Sequence, residues 1–89
     1  MSEKQADIVV YCTQFCPYCV QAKNLLNSKQ VSFTEIDIDQ QPEQYSEMVK
    51  KSGGVTSVPQ IFIGDHHVGG CDDLHSLEAQ GGLDKLLFE

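Results

Sequence analysis

The tetrapeptide Cys16-Pro17-Tyr18-Cys19 separates a short apolar run at residues 8–12 from a stretch with helical periodicity at residues 17–29. Two cysteines with this spacing at the start of a helix are typical of a redox pair. The first helical turn has unpaired backbone N–H groups and the positive end of the helix dipole, so it stabilises a thiolate at Cys16. Pro17 suits the first helical position because it has no N–H group and its φ is already helical.

Cys19 follows Cys16 by about one helical turn, close enough for its side chain to reach the Cys16 sulfur. We therefore expect Cys16 to attack a disulfide and Cys19 to resolve the intermediate. A zinc site is disfavoured because Cys71 has no nearby cysteine and the three histidines form no ligand pattern. A purely structural disulfide is disfavoured because so short a loop constrains the unfolded chain very little.

The length and charge of the chain restrict its class. Its 89 residues predict one small domain, residues 1–89. The net charge of −7 and the lack of a basic cluster argue against nucleic acid or an anionic membrane as partner. The polar N-terminus and the absence of a long apolar run predict a cytoplasmic protein without a signal peptide. In that compartment cysteines are expected to be thiols.

The hydrophobic pattern predicts an α/β fold, a four-stranded mixed sheet with helices on both faces. Strands are expected at residues 8–12, 31–38, 59–63 and 66–69, the last two forming a hairpin through Gly64-Asp65. Helices are expected at about 17–29, between 42 and Gly53-Gly54, and on both sides of Gly81-Gly82. The inner faces of the first two helices are predicted to comprise Tyr18, Ala22, Leu25 and Leu26, and Tyr45, Met48 and Val49.

Ser57-Val58-Pro59 leads into the third strand. Proline cannot donate to a sheet ladder, so it must lie where no donor is needed. An ordinary trans proline at the start of a strand is one interpretation. The other is a cis bond that turns the Val58 backbone toward Cys16, as a template for an extended peptide. Given the redox pair, we favour the cis bond.

Residues 69–73, Gly-Gly-Cys-Asp-Asp, precede the last helical region. Glycines let a ligand approach the backbone, and a helix starting near Asp72 presents N–H groups to a carboxylate. An aspartate beside those groups can hold an ammonium group. A carboxylate and an ammonium group together form the α-amino acid end of a small ligand. Plain helix capping by Asp72 or Asp73 is the alternative, and the sequence alone favours it. Cys71 fits equally well as a small buried filler.

Taken in order, these three motifs resemble those of the dithiol glutaredoxins, in particular the small bacterial ones. The resemblance extends from Ile8 to Leu87 and includes Tyr11 before the redox pair. It implies a thioredoxin fold and glutathione as the reducing co-substrate, with no bound cofactor. It also implies a monomeric enzyme that reduces protein disulfides and protein–glutathione mixed disulfides.

The resemblance assigns roles to individual residues. Cys16 resembles the nucleophile and Cys19 the resolving thiol. The glutathione-binding positions are then Tyr18 beside the peptide, Val58 and Pro59 at its cysteine, and Cys71 and Asp72 at its γ-glutamyl end. Many relatives carry Lys or Arg three residues before the nucleophile, near the glycine carboxylate, where this chain has Thr13. Thiolate stabilisation must then depend more on the helix end.

Cys12 is also unusual in this comparison, and we expect it to be an inert apolar filler at the end of a buried strand. Two rival functions share parts of this pattern. A thioredoxin-type reductase usually carries Cys-Gly-Pro-Cys and has no use for the Gly-Gly-Cys-Asp-Asp site. An iron–sulfur carrier would use Cys16 and glutathione as ligands across a dimer, but Pro17 stiffens the loop against it.

Overall fold

The computed structural model describes residues 6–14 and 16–88. Residues 1–5, whose polarity argued against a signal peptide, lie outside that range. The described chain contains strands β1 (Ile8–Cys12), β2 (Thr34–Asp37), β3 (Gln60–Ile63) and β4 (His66–Gly69), and helices α1 (Pro17–Ser28), α2 (Pro42–Lys51), α3 (Cys71–Ala79) and α4 (Leu83–Leu87). Among these helices none is long and apolar enough to cross a bilayer.

The strands form one mixed sheet in the order β2-β1-β3-β4. β1 is parallel to β2 and antiparallel to β3, while β3 and β4 form an antiparallel hairpin. The apolar run of β1 thus lies inside the sheet, as its composition predicted. β2 is shorter than the predicted residues 31–38 because β1 pairs with it only from Val9 to Cys12. Val31 is buried ahead of the strand without joining the ladder.

Helices cover both faces of the sheet, which confirms the predicted architecture. The larger apolar cluster packs α1, α3 and α4 against one face and includes Val10, Leu26, Leu74 and Leu83. The smaller cluster on the other face consists of Tyr11, Met48 and Phe62. Because side chains alternate along a strand, neighbouring residues Val10 and Tyr11 enter different clusters.

Two side chains predicted to face inward do not. Tyr18 is 58% exposed although Ala22 and Leu26 on the same helix are buried. It lies in the first turn of α1 and borders the groove described below, outside the buried face that Cys19, Ala22 and Leu26 form. Tyr45 is 37% exposed, because α2 packs on the smaller cluster mainly through Met48. Leu25 and Val49 are partly buried at the edges of the two clusters.

Candidate active site

The cysteine pair lies where β1 leads into α1. Cys16 is the N-cap of the helix and Pro17 its first residue, as predicted. The Cys16 carbonyl accepts hydrogen bonds from the N–H groups of Cys19 (3.1 Å) and Val20 (3.2 Å), which start the first turn. Cys16 is partly exposed, whereas Cys19 is fully buried. A substrate sulfur can therefore approach Cys16 more readily than Cys19.

Burial raises the pKa of the Cys19 thiol to about 12. A hydrogen bond from the Thr13 backbone acts in the opposite direction, and a hydrogen bond to Cys16 raises the pKa further. Cys19 consequently keeps its proton at neutral pH while Cys16 is reduced.

The Val58–Pro59 peptide bond is cis, which confirms the interpretation favoured above. The Val58 carbonyl faces the cysteine pair, and the Cys16 thiol donates a weak hydrogen bond to it, with Sγ and O 3.9 Å apart. Pro59 is buried and Val58 is partly buried. An extended backbone fragment held at Val58 would thus lie beside the Cys16 sulfur.

The two aspartates at the start of α3 have different environments. The Gly70 N–H donates to Asp73 Oδ2 at 3.0 Å, so Asp73 provides the cap that the sequence assigned to either residue. Asp72 is exposed and lines the groove. Gly69 is required here because its φ is +114° and a Cβ atom would collide with the Asp73 carboxylate.

Cys71, the first residue of α3, is a buried thiol. Its Sγ lies 3.4 Å from His75 Nδ1, one turn along the helix. Burial raises the pKa of Cys71, and the negative charges of Asp72 and Cys16 add to this effect. The Cys71 thiol therefore keeps its proton at neutral pH and forms part of the wall of the site.

A groove of about 300 Å³ lies between these elements. It brings together five of the residues predicted to bind glutathione, namely Tyr18, Val58, Pro59, Cys71 and Asp72. Thr13, the sixth, is not among the described residues that line it. Within residues 6–14 and 16–88, no three potential ligand side chains are grouped so as to hold a metal ion.

Sequence reasoning missed a polar pair in the floor of the groove. Gln60 is 2% exposed, and its Oε1 lies 2.7 Å from Nε2 of His67 on the neighbouring strand. His67 also stacks on Phe62, with ring centroids 4.8 Å apart. The available signal was a glutamine inside an otherwise apolar strand, since a buried amide needs a partner.

A family model for the glutaredoxins matches residues 8–68, which include both cysteines of the pair and the cis proline. The chain belongs to the glutaredoxin family. A glutaredoxin of Pseudomonas aeruginosa is 56% identical over 80 residues, covering 90% of this chain and 94% of that protein. Glutaredoxin 3 of Escherichia coli K12 is 55% identical over 82 residues, covering 92% and 98%.

Solved glutaredoxin structures share the thioredoxin fold seen here. A buckwheat glutaredoxin–glutathione complex superposes with a TM-score of 0.83 at 28% identity, covering 92% of this chain and 76% of that one. The glutaredoxin of Brucella melitensis gives a TM-score of 0.80 at 51% identity, covering 93% and 89%. As a glutaredoxin, the protein is a thiol-disulfide oxidoreductase.

Proposed function

We propose that this glutaredoxin uses glutathione to reduce protein disulfides and protein–glutathione mixed disulfides, with Cys16 as nucleophile and Cys19 as resolving thiol. The observation that carries the proposal is the arrangement of the groove. Its walls are the Val58 carbonyl beside Cys16 and the N-terminus of α3 with Asp72. These groups suit a peptide that ends in an α-amino acid.

Glutathione fits the groove in one direction. The backbone of Val58 pairs with the cysteine of glutathione and points its sulfur at Cys16. The N–H groups at the start of α3 receive the γ-glutamyl carboxylate, and the Asp72 carboxylate receives the ammonium group. Tyr18 flanks the peptide from the opposite side. Thr13, near the cysteine pair, offers a hydroxyl but no charge to the glycine end.

The monothiol route needs Cys16 alone. Its thiolate attacks the glutathionyl sulfur of a protein mixed disulfide, the disulfide bond breaks, and the protein leaves as a thiolate that takes up a proton. Glutathione is then bonded to Cys16. The thiolate of a second glutathione attacks the bound glutathionyl sulfur, which releases oxidised glutathione and regenerates the Cys16 thiolate.

The dithiol route needs both cysteines. Cys16 attacks a protein disulfide, and the deprotonated Cys19 then attacks Cys16 Sγ, releasing the second protein thiolate. The resulting Cys16–Cys19 disulfide is reduced by two molecules of glutathione. We further propose that the enzyme acts as a cytoplasmic monomer with no resident cofactor. Disulfide-bonded and glutathionylated proteins are its substrates.

The test is turnover of a small glutathionyl mixed disulfide with two alternative electron sources. With glutathione and glutathione reductase, we expect steady NADPH consumption that depends on the protein. With thioredoxin reductase in place of both, we expect little activity. Activity only in the second assay would overturn the glutathione assignment and favour a thioredoxin-type reductase.

A further inference from the structure

Residues 55–59, which present the Val58 carbonyl to Cys16, connect α2 to β3 without regular secondary structure. The position of Val58 therefore depends on side-chain contacts made to this segment. One of them is adjacent to Val58, where Gln60 Nε2 donates a long hydrogen bond of 3.4 Å to Ser57 Oγ. Ser57 is exposed and Gln60 is buried, so this contact links the surface of the groove to the interior.

The side-chain amide of Gln60 is held by His67 on the neighbouring strand. Its Oε1 lies 2.7 Å from His67 Nε2, and because an amide oxygen can only accept, the ring nitrogen donates. This bond orients the amide, with its oxygen toward β4 and its NH2 group toward Ser57. Without the histidine, the buried oxygen would lose this partner, and the amide would no longer be held in this orientation.

His67 is in turn fixed by the smaller apolar cluster. Its ring stacks on Phe62, with ring centroids 4.8 Å apart and an angle of 23° between the planes. Phe62 packs edge-to-face against the fully buried Tyr11, with ring centroids 5.7 Å apart. The contacts thus form a continuous chain from the packed core to Ser57, through one stacked ring and two hydrogen bonds.

We propose that Gln60 and His67 are positioning residues that hold Ser57, and with it the peptide group of Val58, in the place where a substrate backbone pairs beside Cys16. For its effect on the substrate, the inference rests on the glutathione groove proposed above. A template that is already ordered loses less conformational entropy when the substrate binds. Gln60 and His67 therefore act on binding without touching the reacting sulfur atoms.

His67→Phe tests this chain, since the new ring can still stack on Phe62 but cannot donate to Gln60. In the reduced variant, we expect the ¹⁵N order parameters of the Ser57 and Val58 amides to fall toward about 0.6, the value of flexible backbone. This measurement needs no ligand, so it reports on the segment itself.

The same variant should bind substrate less well. In the glutathione-coupled assay, the KM for a small glutathionyl mixed disulfide should rise about fivefold, the effect of losing one neutral hydrogen bond. The rate at which iodoacetamide alkylates Cys16 should stay the same, because this reagent does not pair with the backbone of Val58.

The matched control is His66→Phe, which makes the same change one residue earlier on β4, at an exposed side chain on the opposite face of the sheet. It should change neither the order parameters nor the KM. His67→Gln keeps an N–H donor for Gln60 and should restore most of the order and of the affinity. Ser57→Ala removes the other end of the chain at an exposed position and should raise the KM as His67→Phe does.

The double variant Gln60→Leu/His67→Phe separates positioning from stability. It replaces both partners by apolar side chains and removes the unpaired oxygen, so it should recover much of the stability that His67→Phe loses in urea unfolding. Its KM should stay raised, because Ser57 still lacks its donor. A KM that returned to normal together with the stability would show that the pair serves folding alone, and would overturn the proposal.

Order parameters and KM values in His67→Phe equal to those of His66→Phe would also overturn it. If His67→Phe does not fold, the same comparison with Ser57→Ala decides, because that substitution lies at the surface. If the unmodified protein shows no turnover with glutathione, the proposed function is wrong, while the order parameters still test whether the pair holds Val58.

Discussion

Asp72 and Asp73, adjacent at the start of α3, have carboxylates in different environments. Asp73 accepts a hydrogen bond from the Gly70 N–H and caps the helix, while Asp72 is exposed in the groove. The sequence left the cap open between the two residues, and the resemblance assigned the ligand contact to Asp72. The folded backbone decides which of them is the cap, because the side chain at the third helical position must reach back.

Asp72→Asn tests the proposed ammonium contact. We expect the KM for glutathione to rise about tenfold, since hydrogen bonds to charged groups contribute about 1.5–3 kcal/mol. Asp65→Asn is the matched control, because Asp65 is an exposed aspartate in the β3–β4 turn and does not line the groove. Equal KM values for the two variants would remove Asp72 from the glutathione site.

Glu35 should make stability depend on pH. Lys23 lowers its pKa below the ordinary value of 4.5, so the ionised carboxylate favours the folded state above that pH. This contribution is lost as the pH falls through the folded-state pKa. Because the pair is half exposed, Glu35→Gln should cost less than about 1 kcal/mol at neutral pH.

Urea unfolding of Glu35→Gln and of the unmodified protein, at neutral and at acidic pH, tests the predicted contribution of Glu35 to stability. The difference in the free energy of unfolding should be present at neutral pH and disappear in acid, where Glu35 is protonated in both states. A difference that grows in acid would contradict the assigned direction of the pKa shift.

At the scale of elements, the N-terminus of α3 depends on the backbone of Gly69. Gly69→Ala adds both positive-φ strain and a collision with Asp73, whereas Gly64→Ala adds strain in open space. We expect Gly64→Ala to cost about 1–2 kcal/mol and Gly69→Ala clearly more. Thermal unfolding measures both. Equal losses would show that Asp73 moves aside without cost.

The order and type of the elements were predictable because each has a local signal. Pro17 marks the start of α1, Gly64-Asp65 the hairpin turn, and Gly81-Gly82 the break between α3 and α4. Tyr18 and Tyr45 were misplaced because helical periodicity indicates the approximate face of a residue but not which residues of that face the neighbouring elements cover. The predicted range of β2 was too long for a similar reason, since the length of this strand is set by its pairing with β1.

The candidate site was likewise predictable only in part. The position of the cysteine pair and Pro17 at the start of α1 was predictable from adjacent residues, and the three motifs predicted residues that line one groove. The contacts of Glu35 with Cys12 and Lys23 were not predictable, because they join β1, β2 and α1 and depend on how these elements pack. Cys12 was expected to be an inert filler. Its burial fits that expectation, while its hydrogen bond to Glu35 was not predicted.

At the scale of the whole molecule, one sheet is shared by two apolar clusters, and we propose that they unfold together as one domain. Leu74 and Met48 are fully buried on opposite faces. Leu74→Ala and Met48→Ala should each cost about 2–5 kcal/mol. Both variants should keep a single thermal transition. Val20→Ala, at a 48% exposed position on α1, is the control and should change stability little.

Two separate transitions in either variant would show that the faces fold independently.

The central claim, that Cys16 performs the chemistry with glutathione and Cys19 only resolves, is tested most directly by comparing Cys16→Ser and Cys19→Ser. The assay is glutathione-coupled reduction of a small glutathionyl mixed disulfide, followed by reduction of a protein disulfide. We predict no activity for Cys16→Ser in either assay. Cys19→Ser should keep much of its rate with the mixed disulfide and lose activity with the protein disulfide. Activity in Cys16→Ser, or full loss of both activities in a folded Cys19→Ser, would contradict the account.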